Sequence, residues 1–352
     1  MIDCQRFGDD FFDAISGWAR VNKIPLNTTF ELTPFCNFSC VMCYIRLNKE
    51  TAKKQGEMLT AEQWLQIARQ AKDAGTLHLT LTGGEPLAHP DFWEIYAELN
   101  KMGFLIYLLS NGSLIDEQAM DKFRLYGMPH MVKLTVYGAS DETYQRVCGS
   151  ADGFTRVSRA IDLLKAAGVP VKLTSTIVKE NACDLQQIYA FAREKGLSMQ
   201  HTISVHKSSR GSLNTAETSR FEFADFPEEI TLEALEKSKF PNQQSPFAWC
   251  ASRGKNLVVT WHGHFQLCTM LSEPYVQYSG DFLSDFHKLD NLLDEIKSPE
   301  ECQGCEWKEF CQRCPGILCS ESGHPEKTDK AFCLMAKRLQ DLYIRKKEET
   351  QL

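Results

Sequence analysis

The chain has 352 residues, of which 43% are hydrophobic and 24% are charged, and its formal net charge at pH 7 is −7. This length allows two domains or one large α/β domain with an appendage, and the negative charge argues against a nucleic-acid partner, which normally meets a basic surface. No apolar run is long enough to span a bilayer and the N-terminus lacks the pattern of a signal peptide, so we expect a cytoplasmic protein without a membrane partner.

Six short apolar segments rich in β-branched residues are predicted to be strands. They cover 30–32, 77–81, 105–109, 131–136, 171–177 and 199–205. Helical periodicity marks the segments between them, at 59–74, 90–102, 116–126, 153–167 and 184–195, and the first of these opens on the capping-box pattern Thr60 to Gln63. Strands that alternate with helices predict βαβ units, and six units make a partial (β/α)6 TIM-like barrel.

The pattern changes after about residue 206. Residues 207–249 are polar, 257–267 have the pattern of a hairpin with Gly263 near its turn, and Asp281, Asp285 and His287 are expected in a polar surface loop. Residues 300–333 carry cysteines with little apolar periodicity, which is typical of a segment held by metal, and the tail from 334 is predicted to be helical.

These shifts predict five parts of the chain. They are an N-terminal extension (1–24), the partial barrel (25–210), a polar linker (211–244), a small irregular cysteine-rich domain (245–340) and a charged tail (341–352).

Fourteen cysteines are the unusual feature of the composition. A disulfide scaffold is typical of short secreted chains that lack a core, and this chain has neither property. The cysteines also cluster, with three near position 40 and eight between Cys250 and Cys333. In a reducing compartment, clustered thiols are usually metal ligands.

The first group is Cys36, Cys40 and Cys43, spaced C-x3-C-x2-C directly after the first predicted strand. Three thiolates can bind three irons of a [4Fe–4S] cube and leave the fourth iron open to a small molecule. The alternative is a zinc site that lacks its fourth ligand, although structural zinc normally has four.

A glycine-rich turn, Gly83-Gly84-Glu85-Pro86, follows the second predicted strand. The glycines allow close backbone approach, and Glu85 and nearby carbonyls can accept hydrogen bonds from an ammonium group. Such a turn is otherwise usually only a turn. In parallel α/β folds the carboxyl ends of the strands form the binding site, so the turn and the cysteine triplet are expected on the same side of the sheet.

The triplet and the turn together resemble the radical S-adenosylmethionine (radical SAM) superfamily. The resemblance implies that S-adenosylmethionine chelates the open iron and that one electron cleaves it to methionine and a 5′-deoxyadenosyl radical, which abstracts a hydrogen atom from the substrate. An external one-electron reductant of the flavodoxin or ferredoxin type is then the expected partner.

Further cofactor contacts follow from the same resemblance. Ser110 and Asn111 match a segment beside the ribose, Met42 stands where relatives often place an aromatic against adenine, and Arg210 is a further candidate.

The carboxylate of the cofactor is usually held by a serine and an arginine. Here Thr135 supplies a hydroxyl, Cys148 stands at the usual arginine position, and Arg146 is the candidate substitute. Cys148 itself is interpreted as a small buried apolar residue.

The C-terminal cysteines resemble the SPASM extension. Cys250 is followed by twelve residues, Gly263, four residues and Cys268. The resemblance implies two auxiliary [4Fe–4S] clusters, although an inner cluster with three ligands and an open iron, or a zinc-ribbon-like site using four of these cysteines, remain alternatives. The implied ligands are Cys302, Cys305, Cys311 and Cys333 for the outer cluster, and Cys250, Cys268, Cys314 and the candidate fourth ligand Cys319 for the inner one.

The resemblance implies an enzyme that oxidatively modifies a peptide or protein, by a crosslink, epimerisation or side-chain oxidation, as in the maturation of ribosomal peptides. A dehydrogenase of a small sugar-like alcohol and an electron carrier are the alternatives. Fewer than 30 residues precede the first predicted strand. We therefore expect a peptide to be recognised by another route or by a separate leader-recognition protein.

Overall fold

The computed structural model describes residues 4–207, 215–222, 245–248, 250–311 and 313–350. All six predicted strands are confirmed, with small differences at their ends. The strands are β1 Asn27–Glu31, β2 His78–Thr82, β3 Leu105–Ser110, β4 Met131–Thr135, β5 Val171–Thr176, β6 Met199–Thr202, β7 Asn256–Val259, β8 His264–Gln266 and β9 Val276–Gln277.

The five predicted helices are confirmed as well, and the structure adds others. The described helices are α1 Cys4–Val21, α2 Lys49–Gln55, α3 Ala61–Asp73, α4 Phe92–Lys101, α5 Glu117–Tyr126, α6 Asp141–Cys148, α7 Gly153–Ala166, α8 Leu185–Glu194, α9 Thr215–Ser219, α10 Phe282–Asp294, α11 Pro315–Ser322 and α12 Lys330–Thr350. In the part of the chain that the structure describes, no helix is long and apolar enough to cross a membrane.

One sheet runs through the molecule in the order β6-β5-β4-β3-β2-β1-β7-β8-β9. Strands β1 to β6 are parallel neighbours in chain order, as the partial barrel predicts. Their carboxyl ends therefore meet at one edge, where parallel α/β folds bind ligands.

Helix α3 shows how the layers are held together. Its capping box is present: Gln63 N–H donates to Thr60 Oγ1 at 3.3 Å, and Thr60 N–H donates to Gln63 Oε1 at 2.8 Å. Such a cap typically stabilises a helix by about 1 kcal/mol. The fully buried Trp64 then packs on Phe30 of β1, with 4.8 Å between ring centroids. The helix is thereby fixed on the strand that precedes the cysteine triplet.

The C-terminal region extends the same sheet. The predicted hairpin is confirmed, since β7 and β8 pair antiparallel. Strand β7 also pairs in parallel with β1, with Asn27 opposite Asn256. The sequence did not predict this pairing, which places the cluster region beside the first strand of the barrel. The predicted domain boundaries remain predictions, and most of the linker 211–244 lies outside the described residues.

The prediction of a loop at Asp281, Asp285 and His287 is wrong, although Asp281 and His287 are exposed on the surface as predicted. These residues belong to the start of α10, where the Asp281 side chain caps the helix by accepting from Ser284 N–H. Asp285 is fully buried and accepts hydrogen bonds from Ser279 N–H at 2.7 Å and from its hydroxyl at 2.9 Å. The sequence pattern is polar because Asp281 caps the helix and Asp285 is buried with its own hydrogen-bond partner, and such a pattern resembles that of a solvated loop.

Candidate functional site

A cavity of about 520 Å³ lies at the carboxyl ends of the parallel strands. Cavities of a few hundred Å³ are typical of small-molecule and cofactor sites. Its wall is formed by the loop after β1, the turn after β2, the ends of β3 to β6 and two segments of the C-terminal region.

The predicted cysteine triplet lines this cavity: Cys36, Cys40 and Cys43 are all in its wall. The loop that carries them rests on the C-terminal end of α6. Ser39 N–H donates to the carbonyl of Cys148 at 2.7 Å, and Val41 N–H donates to the carbonyl of Val147 at 2.9 Å. These carbonyls have no partner within the helix, so the helix end and the loop satisfy each other.

The surroundings of the thiols fit metal ligation. Burial raises the pKa of Cys36 to about 12, and burial also raises the pKa of Cys43. Backbone N–H groups point at both sulfurs, from Phe38 to Cys36 and from Arg46 to Cys43, each at 3.3 Å. A buried thiolate needs a compensating positive charge, and a bound metal supplies one and deprotonates the thiol.

Cys40 has two further neighbours. Its hydrogen bond with the Cys148 thiol, together with burial, raises the pKa of Cys40 well above its usual value, while the Tyr137 hydroxyl donates to the Cys40 sulfur and acts in the opposite direction. Cys148 is fully buried in the core, which agrees with its interpretation as a small buried residue. The structure adds that it contacts a predicted iron ligand.

The glycine-rich turn lies against the cysteine loop. Gly84 N–H donates to the Thr33 carbonyl at 2.7 Å, and Glu85 N–H donates to the Phe35 carbonyl at 2.9 Å. A Cβ on Gly84 would lie 2.3 Å from the Phe35 oxygen, and one on Gly83 would lie 2.5 Å from the Thr33 oxygen. The close approach predicted for these glycines is therefore made, in this structure, to the backbone that leads into the triplet.

Glu85 lies beneath the cavity wall and joins the turn after β2 to the end of β3. Its carboxylate is fully buried and accepts hydrogen bonds from the Ser110 hydroxyl at 2.9 Å, Asn111 N–H at 2.8 Å and Leu87 N–H at 3.2 Å. Burial raises the pKa of Glu85 to about 7, although these hydrogen bonds act to lower it. Pro86 is buried and begins the short 3-10 turn that follows.

Four other predicted cofactor contacts reach the cavity, namely Met42, Ser110, Asn111 and Thr135. Asn111 Nδ2 lies 3.6 Å from the Cys36 sulfur and donates to Asn37 Oδ1 at 3.0 Å. Asn111 therefore positions the first cysteine as well as lining the cavity.

The structure does not bring Arg146 to the cavity. Its guanidinium donates to the Glu180 carbonyl at 2.9 Å and to the Thr143 hydroxyl at 3.2 Å, on the exposed side of α6. Arg210 lies outside the described residues.

Lys133 is a cavity residue that the sequence reasoning missed. In β4 its neighbours Val132 and Leu134 are fully buried in the core, while Lys133 is exposed and lines the cavity. A lysine between two buried apolar residues of a predicted strand was the available signal, because successive side chains point to opposite faces. Hydroxyl groups continue the wall, at Thr174, Thr176, Thr202 and Ser204.

The C-terminal region closes another side of the cavity. Thr269 and Met270, which follow Cys268, line it together with Ser320, which follows Cys319. Ser320 donates to the carbonyl of Met270 at 3.2 Å and so ties the two segments together.

The cysteines predicted to bind the inner auxiliary cluster are partly brought together. Burial raises the pKa of Cys268 to about 11, and the nearby Cys314 and Cys250 also act to raise it. Burial raises the pKa of Cys314 as well, with a smaller contribution from Cys250. Cys319, the candidate fourth ligand, is buried, and its sulfur lies 3.4 Å from the Ser272 hydroxyl.

The predicted outer set surrounds a separate small pocket. Cys302, Cys305, Cys311 and Cys333 line it together with Arg313. Burial raises the pKa of Cys302 to about 11, and the Arg313 charge acts to lower it.

Among the described residues, no group of three or more Cys, His, Asp or Glu side chains is arranged to hold a single metal ion. Cysteines that share a four-iron cube each bind a different iron atom, so they are not expected to converge on one point. The donor chemistry of the three cysteine sets fits iron–sulfur clusters, and their ligand roles remain predictions.

The chain is similar to known proteins over part of its length. Residues 30–192 match the family model described as the Radical SAM superfamily. The PqqA peptide cyclase of Gluconobacter oxydans is 30% identical over 172 residues, which are 49% of this chain and 47% of that protein. The AdoMet-dependent heme synthase of Methanosarcina barkeri is 29% identical over 191 residues, 54% of each chain. The chain thus spans about half the length of these curated relatives.

A solved structure covers more of the chain. The crystal structure of Streptococcus suis SuiB bound to S-adenosylmethionine has a TM-score of 0.66 and 15% sequence identity, over 88% of this chain and 77% of that chain. SuiB bound to the precursor peptide SuiA has a TM-score of 0.65. The similarity shows a shared fold that includes the C-terminal region.

Proposed function

We propose, from the match of residues 30–192 to the Radical SAM superfamily, that these residues form a radical SAM domain and that the protein oxidatively modifies a peptide or protein substrate, by a crosslink, an epimerisation or a side-chain oxidation. The cofactors that accompany such a domain are S-adenosylmethionine and a [4Fe–4S] cluster. When bound, they supply a 5′-deoxyadenosyl radical that can abstract a hydrogen atom from an unactivated C–H bond.

One observation supports an oxidation in particular. A single cavity has the Cys36, Cys40 and Cys43 loop in one wall and Met270 with Ser320, which neighbour the inner cysteine set, in another. A substrate bound there lies between the first cysteine loop and the inner cysteine set. It can therefore lose a hydrogen atom on one side and an electron on the other.

The residues of the chain would have separate roles in binding the cofactors. The triplet would hold the first cluster, and Met42, Ser110, Asn111 and Thr135 would contact the bound S-adenosylmethionine. Burial of the thiols and the apolar side chains beside them would exclude water from the reacting groups.

A peptide is the favoured substrate class. The peptide cyclase and SuiB are named for peptide substrates or bind a precursor peptide, and SuiB shares the fold over 88% of this chain. The heme synthase shows that the same domain also occurs in proteins named for small-molecule products. The test therefore has to distinguish a peptide substrate from the alternative, a small sugar-like alcohol.

Two partners complete the proposal, an external flavodoxin- or ferredoxin-type reductant and a separate protein that recognises the leader of the peptide. We place the reaction in the cytoplasm, because a reducing compartment keeps clustered thiols available to metal.

The test begins with the purified chain, reconstituted with iron and sulfide under anaerobic conditions and reduced. Three clusters predict about twelve iron atoms per chain, and eight or four would count against the full set. Incubation with S-adenosylmethionine is expected to give 5′-deoxyadenosine. Complete absence of this product would contradict the proposed function.

The substrate class is tested with the small open reading frames next to the gene. Each encoded peptide is incubated with the reduced enzyme, and mass spectrometry is expected to show a loss of two mass units for an oxidation or, in D2O, a gain of one mass unit for an epimerisation. If sugar-like alcohols are oxidised and no peptide changes, the peptide assignment is wrong. Cys183→Ala removes an exposed thiol outside the three cysteine sets, and this variant is expected to act on the same substrate as the parent protein.

A further inference from the structure

We infer that His206 is a catalytic acid–base residue of the cavity and that the buried pair Glu321 and Arg220 positions it. This inference rests on the proposed function and specifies which group takes the proton that an oxidation releases. It follows from three contacts between residues far apart in the chain.

His206 lies just beyond β6, at the same strand edge as the cysteine triplet. It lines the cavity together with Thr202 and Ser204, while the rest of its side chain is covered, so that 11% of it is exposed. Met270 and Ser320, which neighbour the inner cysteine set, line the same cavity. An imidazole in this wall can meet a substrate held between the two cysteine regions.

Glu321 on α11 holds this imidazole. Its carboxylate, 1% exposed, accepts a hydrogen bond from His206 Nδ1 at 2.8 Å, and Arg220 donates to both of its oxygens at 2.9 Å. These three hydrogen bonds fix the carboxylate in place, and the carboxylate in turn orients the ring.

The hydrogen bond assigns the roles of the two ring nitrogens. When Nδ1–H donates to a carboxylate, Nε2 of the neutral imidazole carries the lone pair that accepts a proton. A carboxylate behind a histidine also stabilises the imidazolium that forms. His206 and Glu321 are therefore arranged as a general base with a carboxylate that orients it.

Other cavity residues fit this role less well. Lys207 is paired with Glu217 and Asp329, each at 3.3 Å, and Tyr137 donates to Cys40. The described lining includes no Asp or Glu side chain. An imidazole is the group that ordinarily exchanges protons near neutral pH.

The proposed step balances in atoms and electrons. A substrate C–H bond first loses a hydrogen atom to the 5′-deoxyadenosyl radical. The carbon radical then forms a bond to a neighbouring heteroatom X whose X–H bond breaks. The X–H proton goes to His206 Nε2. An oxidised auxiliary iron–sulfur cluster, which Cys250, Cys268 and Cys314 would hold, would accept the remaining electron. Overall the substrate loses two hydrogen atoms, as two protons and two electrons in sum.

His206→Asn is the decisive variant, because its amide nitrogen can replace Nδ1 and keep the bond to Glu321 while Nε2 is lost. The assay uses the peptide that the screen described above identifies. We expect 5′-deoxyadenosine formation to continue, while the amount of modified peptide formed per 5′-deoxyadenosine falls by about 100-fold, as is typical for loss of an acid–base group. His130→Asn, an exposed histidine before β4, is the matched control and is expected to match the parent protein.

A second variant separates chemistry from folding. His206→Ala leaves space for a free imidazole, and millimolar imidazole is expected to restore product formation in it but not in Glu321→Gln, whose own imidazole is present and misplaced. The melting temperatures of all variants are measured alongside.

Three results would overturn the assignment. They are an unchanged product ratio in His206→Asn, an equal fall of product and 5′-deoxyadenosine in that variant, and no rescue of His206→Ala by imidazole. If the parent protein itself makes no 5′-deoxyadenosine, the proposed function fails and this assignment fails with it.

Discussion

The cysteine loop after β1 and the cysteine-rich segment around residues 300–311 present the same ligand chemistry but are held in place differently. In the first, backbone hydrogen bonds join the loop to the end of α6 and to the turn after β2. In the second, hydrogen bonds connect near neighbours, such as Cys302 N–H to Pro299 and Phe310 N–H to Trp307. The short 3-10 turns of that segment contain no buried residue.

The difference indicates what each region needs from metal. Long-range hydrogen bonds and a packed sheet position the first loop by protein contacts alone. A segment with local turns and little buried apolar surface gains much of its order from the metal that it binds. We therefore expect the first site to be preformed and the outer site to fold together with its cluster.

The largest expected effect comes from removing one cysteine in each region. Cys40→Ala should abolish 5′-deoxyadenosine formation while the melting temperature changes little, because the loop is held by other contacts. Cys305→Ala should keep 5′-deoxyadenosine formation and increase hydrogen exchange in residues 300–311. Equal loss of order at both sites, measured by hydrogen exchange with mass spectrometry, would contradict the comparison.

The next effect tests the contact that preforms the first loop. A Cβ at position 84 would lie 2.3 Å from the Phe35 oxygen, so Gly84→Ala must displace backbone. We expect a loss of about 3 kcal/mol in the free energy of unfolding and reduced iron content. Gly17→Ala is the control, since a Cβ there meets nothing within 4 Å in the middle of α1, and it should stabilise by roughly 0.5–1 kcal/mol.

A smaller effect concerns pH. Burial raises the pKa of Glu85 to about 7, above its value of 4.5 in the unfolded chain, so the folded state prefers the protonated carboxyl. Its contribution to stability is present below about pH 4.5 and is lost as the pH rises through about 7. Between about pH 5.5 and pH 8 the free energy of unfolding should therefore fall by about 2 kcal/mol more in the parent protein than in Glu85→Gln.

Denaturant titrations of both proteins across this range measure that difference. Parallel pH dependence in the parent and Glu85→Gln would show that Glu85 does not titrate there.

The smallest effect is expected at Arg146. Its side chain is 40% exposed and bonds to the Glu180 carbonyl, away from the cavity. Arg146→Gln should change the free energy of unfolding by less than about 0.5 kcal/mol and leave the Kd for S-adenosylmethionine unchanged. Lys133→Gln is the comparison, because it removes a cation that lines the cavity, and calorimetry should show weaker binding.

Features encoded by neighbours in sequence were predictable. The capping box of Thr60 and Gln63, the six strands and the cysteine spacing each depend on a few consecutive residues, and the structure places the triplet and the turn in one cavity wall. Arg146 was proposed from its position in a family pattern, and that pattern contains no information on where its side chain points.

Features made by residues far apart were missed. His206 and Glu321 are separated by 115 positions, and neither stands in a motif. The pairing of β7 with β1 joins segments more than 200 residues apart. Local periodicity predicts each strand but carries no information on which strand it will pair with.

That pairing has a consequence for how the protein can be divided. Strand β1 has β2 on one side and β7 on the other. A truncation that ended before β7 would leave the central strand β1 with a row of unpaired amide and carbonyl groups, which is a template for association with other chains. We therefore expect a barrel without its C-terminal region to associate through β1, and the two halves should be produced as one polypeptide.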